Sequence, residues 1–257
     1  MAVLDMGASA LRLLVAEMPP GGPPRILEEA SRAVALGRDV FTGGRLGAGA
    51  IEAALKALEG FRRIMDSYGV DRYRAVATSA VREAANRDTF LDRVRMRTGI
   101  DVEIIDGSEE NRLTYMAVRE ALKEEGTLAA ADSLLVEVGG GSADTYFLRR
   151  GEPTHSGTYA LGAIRMRQNL ASWHGSHDQR VRLFRRHVQN IVEDIRREIP
   201  LREARQFIAL GGDARFCADQ LVGEREGRRC RTVERHRFLA FCEETAALDE
   251  DQLVDRY

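Results

Sequence analysis

The chain has 257 residues, a formal net charge of −2, and a composition that is 44% hydrophobic and 30% charged. This length suits two domains of ordinary size, and the hydrophobic content supplies a core for each of them. The near-neutral charge argues against a nucleic-acid partner, and no apolar run is long enough to cross a membrane.

The first half of the chain begins with a strand pattern. Apolar residues alternate from Val3 to Val15 around a bend of small residues that starts at Gly7, which predicts two antiparallel strands. The elements predicted next, in chain order, are a strand over 25–36, a helix over 51–65, a strand over 74–78, a helix over 90–97 and a strand over 102–105. A further helix is predicted to begin near Ser108, which would be its N-cap.

The same pattern restarts after Gly126. A strand over 133–138, a turn of three glycines and a strand over 145–148 repeat the strand, turn and strand of the N-terminus. The remaining predicted elements are a helix over 177–199 with an apolar stripe and an arginine-rich face, a strand over 206–210, a helix capped by Asp213, and a helical segment from Val233 onward.

This repetition predicts two α/β lobes, one over 1–125 and one over 126–257. If the lobes face each other, their glycine-rich turns meet across a cleft, where a ligand would bind. The last segment has the pattern of a helix still in progress, so we expect a shortened or minimal chain that lacks further C-terminal helices. The N-terminus has no basic start of a signal peptide, and the three cysteines are far apart without a CxxC pair. A reducing, cytoplasmic location follows as an expectation.

Three glycine turns carry the candidate ligand-binding residues. Asp5 precedes the first turn and Glu137 precedes the second, so each strand delivers a carboxylate to a segment whose backbone amides can approach a ligand. The first turn alone is also what a tight hairpin would look like, whereas three successive glycines between apolar strands are harder to explain by packing. The candidate phosphate-binding residues are Gly7, Ala8, Ser9, Gly139, Gly140, Gly141, Ser142, Gly211 and Gly212.

Two further segments place charged residues near the same edge of the first lobe. The strand that ends at Thr78 delivers Arg82, and the helix after Asp106 carries the pair Glu109-Glu110 in its first turn. Acidic residues in a first turn are also simply favourable to the helix dipole. Taken one at a time, these residues therefore leave a structural and a functional interpretation open.

Together, in this order and spacing, the segments resemble the exopolyphosphatase and guanosine pentaphosphate phosphohydrolase (Ppx/GppA) family of the actin, Hsp70 and sugar-kinase superfamily. The family's Thr-Ser-Ala-x-Arg-x-Ala segment is matched in full by residues 78–84, and its Gly-x-Glu-Glu-Ala-Arg-Leu segment by 107–113 with Asn111 in place of alanine. Its two phosphate turns correspond to residues 5–13 and 137–144. The resemblance implies two ribonuclease-H-like (actin-like ATPase) lobes with an interlobe cleft.

The resemblance also implies residue roles in hydrolysing a phosphoanhydride. Glu110 would be the catalytic base, Arg82 would hold phosphates, and Asp5 and Glu137 would hold Mg²⁺ directly or through water. The partner would be polyphosphate or a phosphorylated guanosine nucleotide, bound by the amides of the turns, and a homodimer is a further expectation. Neither lobe is expected to bind nucleic acid or a membrane.

Several positions depart from the family pattern. Glu137 stands where the family has aspartate, Ala143 removes a hydroxyl, Asp144 is shorter than the usual glutamate, and Asp213 would lie near bound anions. These changes favour an alternative, a sensor that binds polyphosphate or a guanosine phosphate without cleaving it. A kinase of the same superfamily is a third interpretation, against which the Glu109-Glu110 helix and the Thr78–Ala84 segment argue.

Overall fold

The chain folds into two β-sheets flanked by helices, as seen in a computed structural model that describes residues 1–123, 127–223 and 230–257. The predicted α/β class with two sheets is confirmed. The boundary predicted between residues 125 and 126 lies outside the described residues, and the division into lobes over 1–125 and 126–257 stays a prediction. None of the described helices has the length and apolarity that crossing a bilayer requires.

The first sheet has five strands in the order β3-β2-β1-β4-β5. They are β1 (Ala2–Met6), β2 (Ala10–Glu17), β3 (Arg25–Ala33), β4 (Tyr73–Ala77) and β5 (Glu103–Ile104). β1 is antiparallel to β2 and parallel to β4, with Asp5 opposite both Arg12 and Val76. Asp5 therefore lies near the carboxyl end of a central strand, which is where ligands bind in open α/β sheets.

Four helices accompany this sheet. They are α1 (Leu36–Gly43), α2 (Ala48–Ser67), α3 (Ser79–Glu83) and α4 (Arg87–Thr98). The apolar stripe of α2, including Leu55, Leu58 and Phe61, packs into the core with Leu4 and Leu11. Each such side chain stabilises the fold by about 1.5–3 kcal/mol when it leaves water.

The third strand ends earlier than predicted. It stops at Ala33 instead of continuing to Leu36, because the chain then turns across the first glycine turn: the Gly37 N–H donates to the Ala8 carbonyl at 2.9 Å. The residues that follow form α1, a helix that the sequence pattern did not indicate.

The second sheet has four strands in the order β8-β7-β6-β9. They are β6 (Ser133–Val138), β7 (Ala143–Arg149), β8 (Glu152–Tyr159) and β9 (Gln206–Leu210). β6 is antiparallel to β7, with Glu137 opposite Asp144, and parallel to β9. The edge strand β8 was not predicted, because it is largely exposed and polar and contains Pro153, so no alternation marks it.

Helix α5 (Gly107–Ala121) connects the two sheets. Its N-cap is Asp106, whose carboxylate accepts a hydrogen bond from the Glu109 N–H at 2.8 Å, so the prediction of Ser108 as N-cap is wrong. Asp106 takes this role because it is the last extended residue before the helix. Tyr115 and Val118 of α5 pack with buried side chains of β6 and β7.

The other described helices precede, connect or follow the strands of the second sheet. They are α6 (Thr127–Ala130), α7 (Ala163–Ser172), α8 (His177–Glu198), a 3-10 turn (Leu201–Glu203), α9 (Gly212–Val222), α10 (Arg235–Ala246) and α11 (Glu250–Arg256). The apolar stripe predicted for α8 is only partly covered: Ile195 is buried, whereas Phe184 and Val188 are half-buried. α7 was not predicted.

Candidate active site

The first and second glycine turns, which follow Asp5 and Glu137, contact each other. This is the arrangement predicted for turns that face each other across a cleft. A Cβ atom on Gly140 would lie 3.2 Å from the methyl group of Ala8, and one on Gly141 would lie 2.6 Å from the Phe41 ring. Ala8 itself is only 6% exposed. Glycine at 140 and 141 is therefore explained by the close approach of the two halves of the chain.

In each of these two turns, one backbone N–H donates a hydrogen bond within the turn and the others do not. The N–H of Gly7 donates to the Ala10 carbonyl at 3.1 Å, and that of Gly139 donates to the Ser142 carbonyl at 2.9 Å, so these two amides close the hairpins. Within the described parts of the chain no acceptor lies against the other amides of the turns. The amides that can still receive a phosphoryl oxygen are those of Ala8, Ser9, Gly140, Gly141 and Ser142.

Three carboxyl groups stand at the strand ends beside these turns. Asp5 is 3.6 Å from the Arg12 guanidinium. Glu137 and Asp144 are cross-strand neighbours: the Thr114 hydroxyl donates to Glu137 Oε2 at 3.2 Å, and the Thr158 hydroxyl donates to Asp144 Oδ1 at 2.6 Å. Hydrogen bonds thus hold two of the three carboxylates in fixed positions.

All three of these groups bind protons more tightly than usual. Burial raises the pKa of Asp5, against the opposing effect of Arg12. Burial also raises the pKa of Glu137, to which the charges of Asp144 and Asp5 add, and burial raises the pKa of Asp144 despite its hydrogen bonds from Thr158 and Ser142. Several partly desolvated negative charges in one place are costly unless a cation neutralises them.

Arg82 and Glu110 form an ion pair near the carboxyl groups of Asp144 and Asp5. The Arg82 Nη1 donates to the Ile105 carbonyl at 2.7 Å and lies 3.3 Å from Glu110 Oε2, and both side chains are about a quarter exposed (23% and 24%). Burial first, and then the charge of Asp144, raise the pKa of Glu110 to about 7, although Arg82 acts in the opposite direction. A carboxyl group with such a pKa can accept a proton near neutral pH.

The two glutamates of α5 have different charged partners. Glu109 is 28% exposed, close to the value for Glu110, but its partners are different: the Arg112 guanidinium donates to it at 2.7 and 2.9 Å and Arg74 lies 3.5 Å away. These hydrogen bonds lower the pKa of Glu109. The two neighbouring glutamates thus differ in their partners: Glu110 lies beside Arg82 and near the charge of Asp144, whereas Glu109 pairs with Arg112 and Arg74.

The donor set fits Mg²⁺ in chemistry but supplies few ligands. Carboxylate oxygens are the hard donors that Mg²⁺ prefers, and this ion commonly keeps several waters and binds substrate phosphates. No group of three or more acidic, histidine or cysteine side chains that could hold a metal ion exists among the described residues. Asp5 and Glu137 would therefore be two protein ligands of a largely water- and phosphate-coordinated ion.

The third glycine turn lies at the end of β9. Gly211 has a φ of 103°, and a Cβ there would lie 2.7 Å from the Val138 carbonyl oxygen, so glycine is required by both backbone and space. Gly211 is the N-cap of α9, and no side chain caps this helix. The prediction that Asp213 caps it is wrong, because the helix already begins at Gly212 and Asp213 is an exposed residue of its first turn.

Several residues of this site were missed by sequence reasoning. Thr158 comes from the unpredicted edge strand, and Thr114 and Asn111 come from the middle of α5. In the orientation that satisfies its neighbours, the Asn111 amide nitrogen donates to Asp144 Oδ1 at 3.1 Å and to the Tyr146 hydroxyl at 3.0 Å. The sequence offered one signal for these residues, which is that Asn111 stands where the family has alanine. A buried side-chain amide needs a hydrogen-bond partner, and here that partner is a carboxylate.

Known proteins of one family resemble this chain along most of its length. The family model of the Ppx/GppA phosphatases matches residues 14–254. The chain belongs to this family. It is 31% identical to Exopolyphosphatase 2 of Mycobacterium tuberculosis over 219 residues, which is 82% of this chain and 67% of that protein. It is also 31% identical to Exopolyphosphatase 1 of Mycobacterium bovis over 164 residues, covering 64% of this chain but only 46% of that protein.

Solved structures of the Ppx/GppA family share the fold. The Aquifex aeolicus family member superimposes with a TM-score of 0.76 at 23% identity, over the whole of this chain and 81% of that one. An exopolyphosphatase from Cytophaga hutchinsonii gives a TM-score of 0.77 at 24% identity, over 96% of this chain and 79% of that one. The expected actin-like architecture of the two sheets is thereby confirmed.

Proposed function

We propose that this Ppx/GppA family member hydrolyses the terminal phosphoanhydride bond of inorganic polyphosphate or of guanosine pentaphosphate, with Glu110 as the general base. The observation that carries the proposal is the position of Glu110, partly buried in the cleft 3.3 Å from Arg82 with a pKa of about 7. Near neutral pH a large share of such a group is ionised, yet it remains basic enough to take a proton.

In the proposed reaction, Glu110 orients a water molecule and takes one of its protons as the water oxygen attacks the terminal phosphorus. The bond between that phosphorus and the bridging oxygen breaks, and orthophosphate and a chain shorter by one phosphate are released. Phosphoryl transfer depends chiefly on positioning and on stabilising charge. Arg82 supplies a cation beside the base, and the unbonded amides of Ser9, Gly140 and Gly141 supply donors for phosphoryl oxygens.

Mg²⁺ is part of the proposal. Asp5 and Glu137 would hold it, and when bound it would neutralise phosphate charge next to the carboxylates. Both carboxyl groups have raised pKa values, which means that their negative charges are costly when no cation neutralises them. This supports a cation site between them. The ligands must be deprotonated to bind, so metal affinity is expected to rise with pH.

The test is phosphate release from polyphosphate, guanosine pentaphosphate and ATP, each with Mg²⁺ and with EDTA. We expect Mg²⁺-dependent release from one or both of the first two substrates. ADP and a phosphorylated acceptor formed from ATP would instead identify a kinase.

A non-catalytic sensor is the second candidate. It is favoured by Ala143, which is buried at 5% exposure and brings no hydroxyl to the second turn, and by Glu137, which is already engaged by Thr114. Tight binding of polyphosphate or a guanosine phosphate with no release of phosphate under any metal condition would support this candidate over hydrolysis.

A further inference from the structure

Arg165 of α7 makes an unusual set of contacts for a residue outside the cleft. Its Nε donates to the Gly141 carbonyl at 2.7 Å, and its Nη2 donates to Glu83 Oε1 at 2.6 Å. Its guanidinium also lies 4.0 Å from the centre of the Phe41 ring. The side chain is only 16% exposed, compared with 42% for Glu83.

These contacts belong to a larger set of bonds between α7 and the second glycine turn. The N–H of Ala163 donates to the Gly139 carbonyl at 2.9 Å, and the N–H groups of Ile164 and Arg165 donate to the Gly140 carbonyl at 2.9 and 3.1 Å. With the Arg165 side chain on Gly141, all three glycine carbonyls are bonded by the first turn of α7.

The orientation of the amides follows from the peptide bond. In a trans peptide, the carbonyl of one residue and the N–H of the next point in opposite directions. Because the carbonyls of Gly139, Gly140 and Gly141 face α7, the N–H groups of Gly140, Gly141 and Ser142 face away from it. These are amides that have no acceptor in the described parts of the chain.

Close packing reinforces this arrangement. A Cβ on Gly162, the N-cap of α7, would overlap the backbone of Gly140 and Gly141, so the helix can begin here only at a glycine. Arg165 then extends past the turn to Glu83 of α3 and Phe41 of α1, which belong to the other sheet's half of the chain. The Arg165 side chain thus contacts both the second glycine turn and two helices that accompany the first sheet.

We propose that Arg165 is a positioning residue, which holds the Gly139–Ser142 turn with its amides toward the cleft and fixes that turn against α1 and α3. Its effect on catalysis rests on the proposed hydrolytic function. Its effect on the turn does not, since that effect depends only on the hydrogen bonds described above.

The first test is hydrogen exchange in the ligand-free protein. We expect Arg165→Ala to accelerate exchange roughly tenfold at the bonded amides of Gly139, Ala163 and Ile164, with no large change in the thermal unfolding temperature. Arg182→Ala on α8 is the matched control, because Arg182 is exposed and the described residues offer it no hydrogen bond or ion pair. Exchange at these amides that equals the wild-type rate would overturn the proposal.

The second test is turnover and its chemical rescue. Displacement of oxyanion donors by about 1 Å costs on the order of 100-fold in rate, so we expect Arg165→Ala to lower kcat by about 10- to 100-fold and to change KM much less. Guanidinium chloride at about 50 mM, which can occupy the space between Glu83, Phe41 and the Gly141 carbonyl, should restore several-fold activity to this variant and none to a Glu110→Gln variant. The absence of any rescue of Arg165→Ala would contradict the role given to these guanidinium contacts.

The two tests separate the possible failures. If the wild-type protein releases no phosphate from any substrate, the proposed function fails, and exchange at the turn alone decides the role of Arg165. If the wild-type protein is active and Arg165→Ala has wild-type kcat, the positioning role in catalysis is refuted even where exchange is faster.

Discussion

Glu110 should destabilise the metal-free protein at the pH at which it would act. Its pKa is raised from 4.5 to about 7 in the folded state, chiefly by burial and by the charge of Asp144. A group whose folded pKa is raised contributes stability that is fully present below the unfolded value, about 4.5, and is lost as the pH rises through about 7. Ionised Glu110 therefore carries a cost at pH 8 that is absent at pH 4.5.

The size of this cost follows from the shift. At 1.36 kcal/mol per pKa unit, it amounts to about 3 kcal/mol. Glu110→Gln is uncharged at every pH and should remove the cost, which raises the unfolding temperature at pH 8 by about 6–12 °C for a chain of this size. The gain over wild type should shrink as the pH falls and vanish near pH 4.5, because the wild-type carboxyl group is then neutral as well.

The assay is thermal unfolding of both proteins between pH 5 and pH 8 in EDTA. Glu109→Gln is the matched control on the same helix, and it should behave with the opposite sign. The hydrogen bonds from Arg112 lower the pKa of Glu109, so its small stabilising effect is present at pH 8 and is lost as the pH falls. Parallel curves for wild type and Glu110→Gln across this pH range would refute the reasoning.

Three further predictions concern the cleft. Asp144→Asn removes a charge that raises the pKa of Glu110, so the acidic limb of kcat against pH should move to lower pH, and an unchanged limb would contradict this. Gly141→Ala should lower turnover at least tenfold, because its Cβ would lie 2.6 Å from an aromatic ring of α1. Gly49→Ala on α2, with no atom within 4 Å of its Cβ, should be nearly neutral, and similar rates for the two variants would refute the packing argument. Glu137→Gln should weaken Mg²⁺ binding at least tenfold in calorimetry, and an unchanged Kd would show that position 137 does not contact the metal.

Sequence reasoning identified the parts of the site whose signals are local. The turns after Asp5 and Glu137 are recognisable because glycine and small residues interrupt strand patterns, and the same holds for the turn at Gly211. Such a signal needs no knowledge of what packs nearby. It identified the turns as candidate ligand-binding segments without showing which of their amides are already bonded.

The contributions that sequence reasoning missed are those that depend on distant parts of the chain. Thr158 bonds Asp144 from an exposed edge strand with no alternation, and Arg165 bonds Gly141 from a helix that follows it by some twenty residues. Adjacent residues of a helix point in different directions, so Glu109 and Glu110 meet different partners, but the raised pKa of Glu110 depends on burial and on the charge of Asp144, which lies on the other sheet. No local pattern encodes that proximity.

The central claim is that Glu110 is the base of a phosphoanhydride hydrolase, and one paired measurement tests it most directly. Phosphate release from polyphosphate with Mg²⁺ and the Kd for tripolyphosphate are measured for wild type, Glu110→Gln and Glu109→Gln. A general base contributes about 10²- to 10⁴-fold, so Glu110→Gln should lose that much turnover with a Kd within about threefold of wild type, while Glu109→Gln keeps most activity. Wild-type turnover in Glu110→Gln would contradict the account.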